Sequence, residues 1–145
     1  MTERHLLDTG PLGRIAYPRK NSEAGRWLER LRGRDIELMI PEIADYELRR
    51  ELIRADLKKS LARLNWLKTE LPYIPLDTDT MMRAAEFWAQ ARNMGKPVAD
   101  PKELDGDVIL AAQAERAGAV VLTDNIAHLG LFVRAMDWHE FLSEP

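Results

Sequence analysis

Cysteine is absent from the 145 residues. That excludes disulfides, thiolate zinc sites and a cysteine nucleophile, and it fits a reducing cytoplasm. Histidine is scarce: the chain has His5, His128 and His139, at spacings unsuited to a zinc site. No apolar run is long enough to span a membrane. The first residues do not read as a signal peptide, because Asp8 and Pro11 interrupt any apolar stretch. Internal repeats, low-complexity segments and long linkers are also missing. Positive charge is not in excess: the net charge is −3, so the whole molecule is not a basic nucleic-acid binder.

What remains has the composition of an ordinary soluble protein, with 46% hydrophobic and 31% charged residues. The length predicts one domain over residues 1–145, with a sizeable core. Charge is unevenly spread. Residues 1–70 hold 15 Lys and Arg against 12 acids, a net of +3. Residues 71–145 hold 6 against 12, a net of −6. A basic half beside an acidic half permits a phosphate-bearing substrate on one surface and a metal on another. The plainer reading is a set of solvated helix faces.

Strands alternate with helices along the chain, which predicts an α/β fold with a parallel sheet. A first strand covers about Arg4–Leu7, and a short helix follows Pro11. Ser22 is a good N-cap for a helix whose apolar residues Ala24, Trp27, Leu28 and Leu31 recur before Gly33. Ile36, Leu38 and Ile40 alternate in a second strand, and Pro41 suits the first turn of the helix Glu42–Ala55. A second helical stripe is formed by Leu57, Leu61, Leu64 and Leu67. It offers a surface for a second copy or for a partner helix, or else serves the core of the monomer. Tyr73–Leu76 reads as an edge strand because of Pro75. Thr78 or Asp79 caps a helix to Asn93. A polar loop, Lys96–Leu104, leads to a helix over Asp107–Ala117, closed by Gly118. Ala119–Leu122 is the clearest buried strand, Phe132-Val133 a short last one, and Asp137–Leu142 a terminal helix turn.

Acids stand at the junctions of these elements. Asp8 follows the first strand, and Asp124 and Asn125 follow the strand Ala119–Leu122. Asp105 and Asp107 begin a helix, and Glu47 lies one turn after Ile43. Parallel sheets bind ligands beyond the carboxyl ends of their strands. Carboxylates gathered there repel one another, and a divalent cation removes the conflict. Oxygen-only ligands suit Mg²⁺ or Mn²⁺, and such a site serves phosphoryl chemistry. Each acid also has a plain structural reading. Asp8 can cap a turn, Asp107 can favour a helix start, Glu47 can pair with Arg50, and Asp124 can be a turn acid. Asp8-Thr9-Gly10 also spells the tripeptide of aspartic proteases, but the helical periodicity opposes a β-rich fold.

In this order the four acidic segments resemble those of the PIN-domain nucleases, most closely the VapC-type toxins of bacterial toxin–antitoxin pairs. Residues 6–12, LLDTGPL, resemble the opening motif. Residues 40–52, IPEIADYELRREL, resemble the second, with its acid at Glu47. Residues 104–114, LDGDVILAAQA, resemble the third, with its acid at Asp107, and residues 121–129, VLTDNIAHL, the fourth. Two departures occur. The family often has Ser or Asn where Gly10 stands, and its fourth acid position aligns with Asn125 rather than Asp124.

The resemblance implies a three-layer α/β/α sandwich with a central, mostly parallel sheet. It implies a metal-dependent endoribonuclease neutralised by a small antitoxin. Asp8 and Asp107 are then expected to hold Mg²⁺, or Mn²⁺, with Glu47 binding directly or through water. Asp124 or Asn125 is expected to support the site, with Asp105 as a further carboxylate. The expected products carry 5′-phosphate and 3′-hydroxyl ends. Arg49, Arg50 and Arg54 offer contacts to RNA phosphates, or stand simply as solvated helix residues. A homodimer in the cytoplasm is the expected state. The alternatives are a PIN nuclease acting without an antitoxin, in RNA processing or on DNA, and a PIN-like binding module with a degraded site.

Overall fold

The central strand β1, Glu3–Leu7, ends in three buried residues, His5, Leu6 and Leu7. It lies between β2, Ile36–Pro41, and β4, Val120–Thr123, and is parallel to both. The edge strands are β3, Tyr73–Ile74, beside β2, and β5, Ala135–Asp137, beside β4. The sheet order is β3-β2-β1-β4-β5, and every pairing is parallel. The computed structural model describes residues 3–18, 26, 28–29, 35–95 and 101–143, with the side chains of 101–103 and 141–143 left aside.

Helices cover both faces, so the fold is a three-layer α/β/α sandwich. They are α1, Thr9–Ala16; α2, Glu42–Arg54; α3, Lys58–Glu70; α4, Thr78–Asn93; and α5, Pro101–Ala117. Two short ones follow, α6, Ile126–Leu129, and α7, Trp138–Ser143. Successive strand residues face opposite ways, and the core divides accordingly. Leu7, Leu38, Ile40 and Leu122 pack with Leu12, Ile15, Leu64, Leu67 and Trp138. Leu6, Val121 and Met39 pack on the other face with Leu110, Ala114 and Leu129. A further cluster, Phe87, Ala91, Leu104 and Val108, joins α4 to α5.

Two buried polar side chains, Gln113 and Asp45, join neighbouring elements. Pro41 is the N-cap of α2 and offers no side-chain acceptor. Buried Gln113 of α5 fills that need: its Oε1 accepts from Ile43 N–H at 3.2 Å, and its Nε2 donates to the Ile74 carbonyl at 2.9 Å. Asp45, only 5% exposed, accepts from Arg49 Nη2 at 2.9 Å and from the Tyr73 hydroxyl at 2.9 Å. Lys68 Nζ stands 3.1 Å from the same oxygen, Oδ2, that accepts from Tyr73. One buried acid therefore ties α2 to α3 and β3. Burial, and then the Asp45 contact, push the Tyr73 phenol well above its ordinary range.

Several expectations change. Asp8 is the N-cap of α1, which begins at Thr9 rather than after Pro11. α5 begins at Pro101, so Asp105 and Asp107 lie inside a helix and not at its start. The cap of α4 is Asp77, whose carboxylate accepts from Thr80 N–H at 2.7 Å. The last strand is Ala135–Asp137; Phe132 and Val133 instead pack against the α4–α5 cluster. Leu64 and Leu67 are fully buried and Leu61 packs on the same cluster, so most of the leucine stripe serves the chain's own core. The edge position of β3 and the closing turn at Gly118, with φ +62, agree with expectation. The helix expected over Ser22–Gly33 and the loop from Lys96 lie largely outside the described residues.

Candidate active site

The register of the sheet builds the site. Leu7 lies opposite Leu122, so Asp8 and Thr123 emerge side by side from β1 and β4. The chain leaves β1 toward β2 and leaves β4 toward β5, in opposite directions across the sheet. Such a switch of direction opens a crevice beyond the strand ends, where open α/β sheets bind ligands. Asp8 is held there at both oxygens. Thr9 N–H donates to Oδ1 at 2.7 Å, and the buried Thr123 hydroxyl donates to Oδ2 at 2.7 Å. Its own N–H donates to the Leu122 carbonyl at 3.0 Å.

Glu47 reaches the same place from α2. Thr9 Oγ1 donates to its Oε1 at 3.2 Å. A Cβ on Gly106 would stand 2.7 Å from Glu47 Oε2, so this glycine lets the carboxylate lie against the α5 backbone. Asp107 is half-buried and Asp105 is exposed. Asp124 approaches from β4. A Cβ on Gly10 would meet its Oδ2 at 2.5 Å. The Asp124 carboxylate therefore stands where a side chain at position 10 would begin. The two departures from the family pattern thus lie close together, with Asp124, the residue after β4, packed against Gly10.

Asn125 takes a different direction. Its N–H donates to Thr123 Oγ1 at 2.9 Å, and its amide meets the His128 ring. Arg14 Nη1 donates to Asp124 Oδ1 at 2.8 Å. Among the three arginines expected to meet phosphate, Arg50 stands 3.8 Å from Glu47 Oε2. Arg49 is committed to Asp45 and Asn65, and Arg54 to Glu51. The sequence reading missed Thr9, Thr123, Arg14 and Gly106. Only the position of Thr123 at a strand end next to an acid was available as a signal.

Burial raises the pKa of Asp8, the Thr123 and Thr9 hydrogen bonds oppose the rise, and the charge of Asp124 adds to it. Among the described residues, no group of three or more acids and histidines stands close enough to hold a metal ion as the side chains lie. The donor chemistry nevertheless fits a hard divalent cation. The side-chain donors of Asp8, Glu47, Asp107 and Asp124 are all oxygen, and a cation would offset both effects that disfavour the Asp8 anion.

Fold and site together define a parallel α/β protein with acids at the switch point of its sheet. The PIN domain family model matches residues 5–128, and the chain belongs to that family, whose nucleases are hydrolases of nucleic acid. Solved structures share the fold. VapBC2 from Rickettsia felis, bound to a promoter DNA fragment, has a TM-score of 0.74 at 16% identity, covering 93% of this chain and 98% of that one. DNA-bound VapBC from Salmonella typhimurium has a TM-score of 0.72 at 21% identity, with 94% and 98% covered. VapBC-1 from nontypeable Haemophilus influenzae has 0.65 at 19%, again with 94% and 98% covered. No curated protein matches the sequence.

Proposed function

We propose that the protein is a divalent-metal-dependent endoribonuclease and the toxin of a VapC-type toxin–antitoxin pair. The observation that carries this reading is the approach of Glu47 and Asp124 to the Asp8 crevice, over two glycines that leave room for their carboxylates. Asp8 and Asp107 are assigned as direct ligands of Mg²⁺ or Mn²⁺, and Glu47 as a ligand directly or through water. Asp124 supports the site in preference to Asn125, since it faces Gly10 while Asn125 turns to His128. Asp105 is an outer carboxylate.

A bound divalent ion supplies Lewis-acid stabilisation of the phosphate and a lowered pKa for water. The chain's own groups do the rest. Thr9 and Thr123 fix both oxygens of Asp8, and Arg14 orients Asp124. Arg50 stands beside Glu47, where its charge attracts a phosphate. Hydrolysis leaves 5′-phosphate and 3′-hydroxyl ends. The relatives named above are VapBC complexes, and a small antitoxin is the corresponding partner proposed for this chain. A homodimer in the cytoplasm belongs to the same reading; no helix among the described residues is long and apolar enough to cross a membrane.

The test is cleavage of structured RNA by partner-free protein with Mg²⁺. Wild type is expected to cleave, EDTA to stop it, and Asp8→Asn to reduce it by at least about a hundredfold. Equal cleavage by Asp8→Asn, or cleavage that ignores EDTA, would sink the assignment. Growth arrest on induction, rescued by a neighbouring small protein, separates a toxin from a nuclease without an antitoxin.

A further inference from the structure

The middle of α2 carries a feature that the acid site does not use. Tyr46, next in the chain to Glu47, is 56% exposed. The Arg50 guanidinium lies 5.0 Å from the centre of its ring and 3.8 Å from Glu47 Oε2. One cation thus links an open aromatic ring to an acid of the site. Ile53, 60% exposed, lies two turns further along α2. Three other aromatic–arginine pairs, Trp66 with Arg63, Trp88 with Arg92 and the buried Phe87 with Arg83, lie on α3 and α4. The Tyr46 pair is distinguished by its contact with Glu47.

An exposed ring has an unused π-face, and every unpaired base can stack on it. A cation beside that ring attracts the backbone of the same strand. Duplex ends apart, paired bases hide their faces within the helix and cannot use such a platform. We propose that Tyr46 and Arg50 form a subsite for unpaired RNA, with a base next to the scissile phosphate stacked on Tyr46 and the adjoining phosphate held by Arg50. The proposal rests on the nuclease reading for its substrate. It makes α2 a two-sided element: Glu47 serves the reaction, and Tyr46 selects single-stranded nucleic acid.

The experiment measures binding in EDTA, where cleavage is stopped. Short labelled single-stranded RNA, the same RNA as a blunt duplex, and versions with one abasic residue at successive positions are followed by fluorescence anisotropy. Tyr46→Ala is expected to weaken single-strand binding about tenfold and Tyr46→Phe to restore it. Duplex binding is expected to change less than twofold, and the melting temperature to shift by no more than about 2 °C, because the side chain is exposed. At one position, an abasic residue should weaken wild type but not Tyr46→Ala. Unchanged binding by Tyr46→Ala overturns the subsite, as does an equal loss for single strand and duplex. Full additivity with every abasic substitution does the same. Normal RNA cleavage by wild type with no effect of Tyr46→Ala removes the subsite alone. A wild type that binds through Tyr46 but never cleaves with Mg²⁺ removes the nuclease reading alone.

Discussion

Replacing Gly106 by alanine should make the protein more stable and less active. Gly106 lies inside α5, and glycine in a helix interior costs about 0.8–1.0 kcal/mol relative to alanine. The new Cβ would meet Glu47 at 2.7 Å from Oε2 and 3.1 Å from Cδ and Oε1. The atom in the way ends a flexible side chain, so the fold yields at small cost. Ordinary contact begins near 3.4 Å, so the carboxylate must retreat by roughly 0.7 Å. That retreat strains the hydrogen bond from Thr9 Oγ1, already 3.2 Å long. A misplacement approaching 1 Å costs up to about a hundredfold in rate, so a loss of about ten- to a hundredfold is expected. Each kcal/mol gained raises the melting temperature of a chain of this size by about 2–4 °C. The assays are thermal unfolding by circular dichroism and RNA cleavage with Mg²⁺. Full activity with raised stability would refute the claim that Glu47 must lie against Gly106. A fall in both quantities would show that the methyl group damages packing instead.

Two other predictions concern single acids. Asp8 has a raised pKa in the folded state, so its contribution to stability is complete below the ordinary value of 3.8 and is lost as pH rises through the raised one. Asp8→Asn should therefore melt higher than metal-free wild type at neutral pH, with the gap closing toward pH 4 and narrowing when Mg²⁺ is added; a gap that widens on acidification would refute the burial argument. Asp45→Ala removes the buried acid shared by Arg49, Lys68 and Tyr73. Breaking a buried pair costs about 3–5 kcal/mol, but the Arg49 and Lys68 side chains are 27% and 34% exposed and can turn to water. A loss of about 2–3 kcal/mol, read by urea unfolding, is expected; a loss below about 0.5 kcal/mol would mean that Asp45 is not a joint of the fold.

The sheet was legible where burial was continuous. Val120–Thr123 is buried at all four residues, and a run of that kind reads directly as an interior strand. The start of α5 was not legible, because Pro101, Asp105 and Gly106 all signal loop. Tertiary packing overrides them: Leu104 and Val108 bury themselves against Phe87 and Ala91 of α4. The start of α1 was hidden in the same way by Gly10 and Pro11, although proline is tolerated in a first helical turn. β5 was missed because three residues leave almost no periodic signal, while the neighbouring Phe132-Val133 is more apolar. In the site, Asp8 and Asp124 were visible as charges at strand ends, whereas Glu47 and Asp107 lie inside helices. The supports of these acids were not visible. A threonine that orients a carboxylate looks like any other threonine, and Gly106 matters only because of what lies 2.7 Å from its missing methyl.

The flush register of β1 and β4 has a further consequence. Asp8 is tied by its own amide to β4 and extends from the most interior strand of the sheet. Moving that amide breaks the last rung between two buried strands, so it opens less readily than an exposed loop would. Glu47 and Asp124 belong to a different tier. They are placed by a hydroxyl, an arginine and two bare glycines, all of which can give without any strand separating. The crevice therefore has one fixed coordinate and two adjustable ones. New side chains at positions 10 and 106 would retune it while the sheet beneath stays as it is.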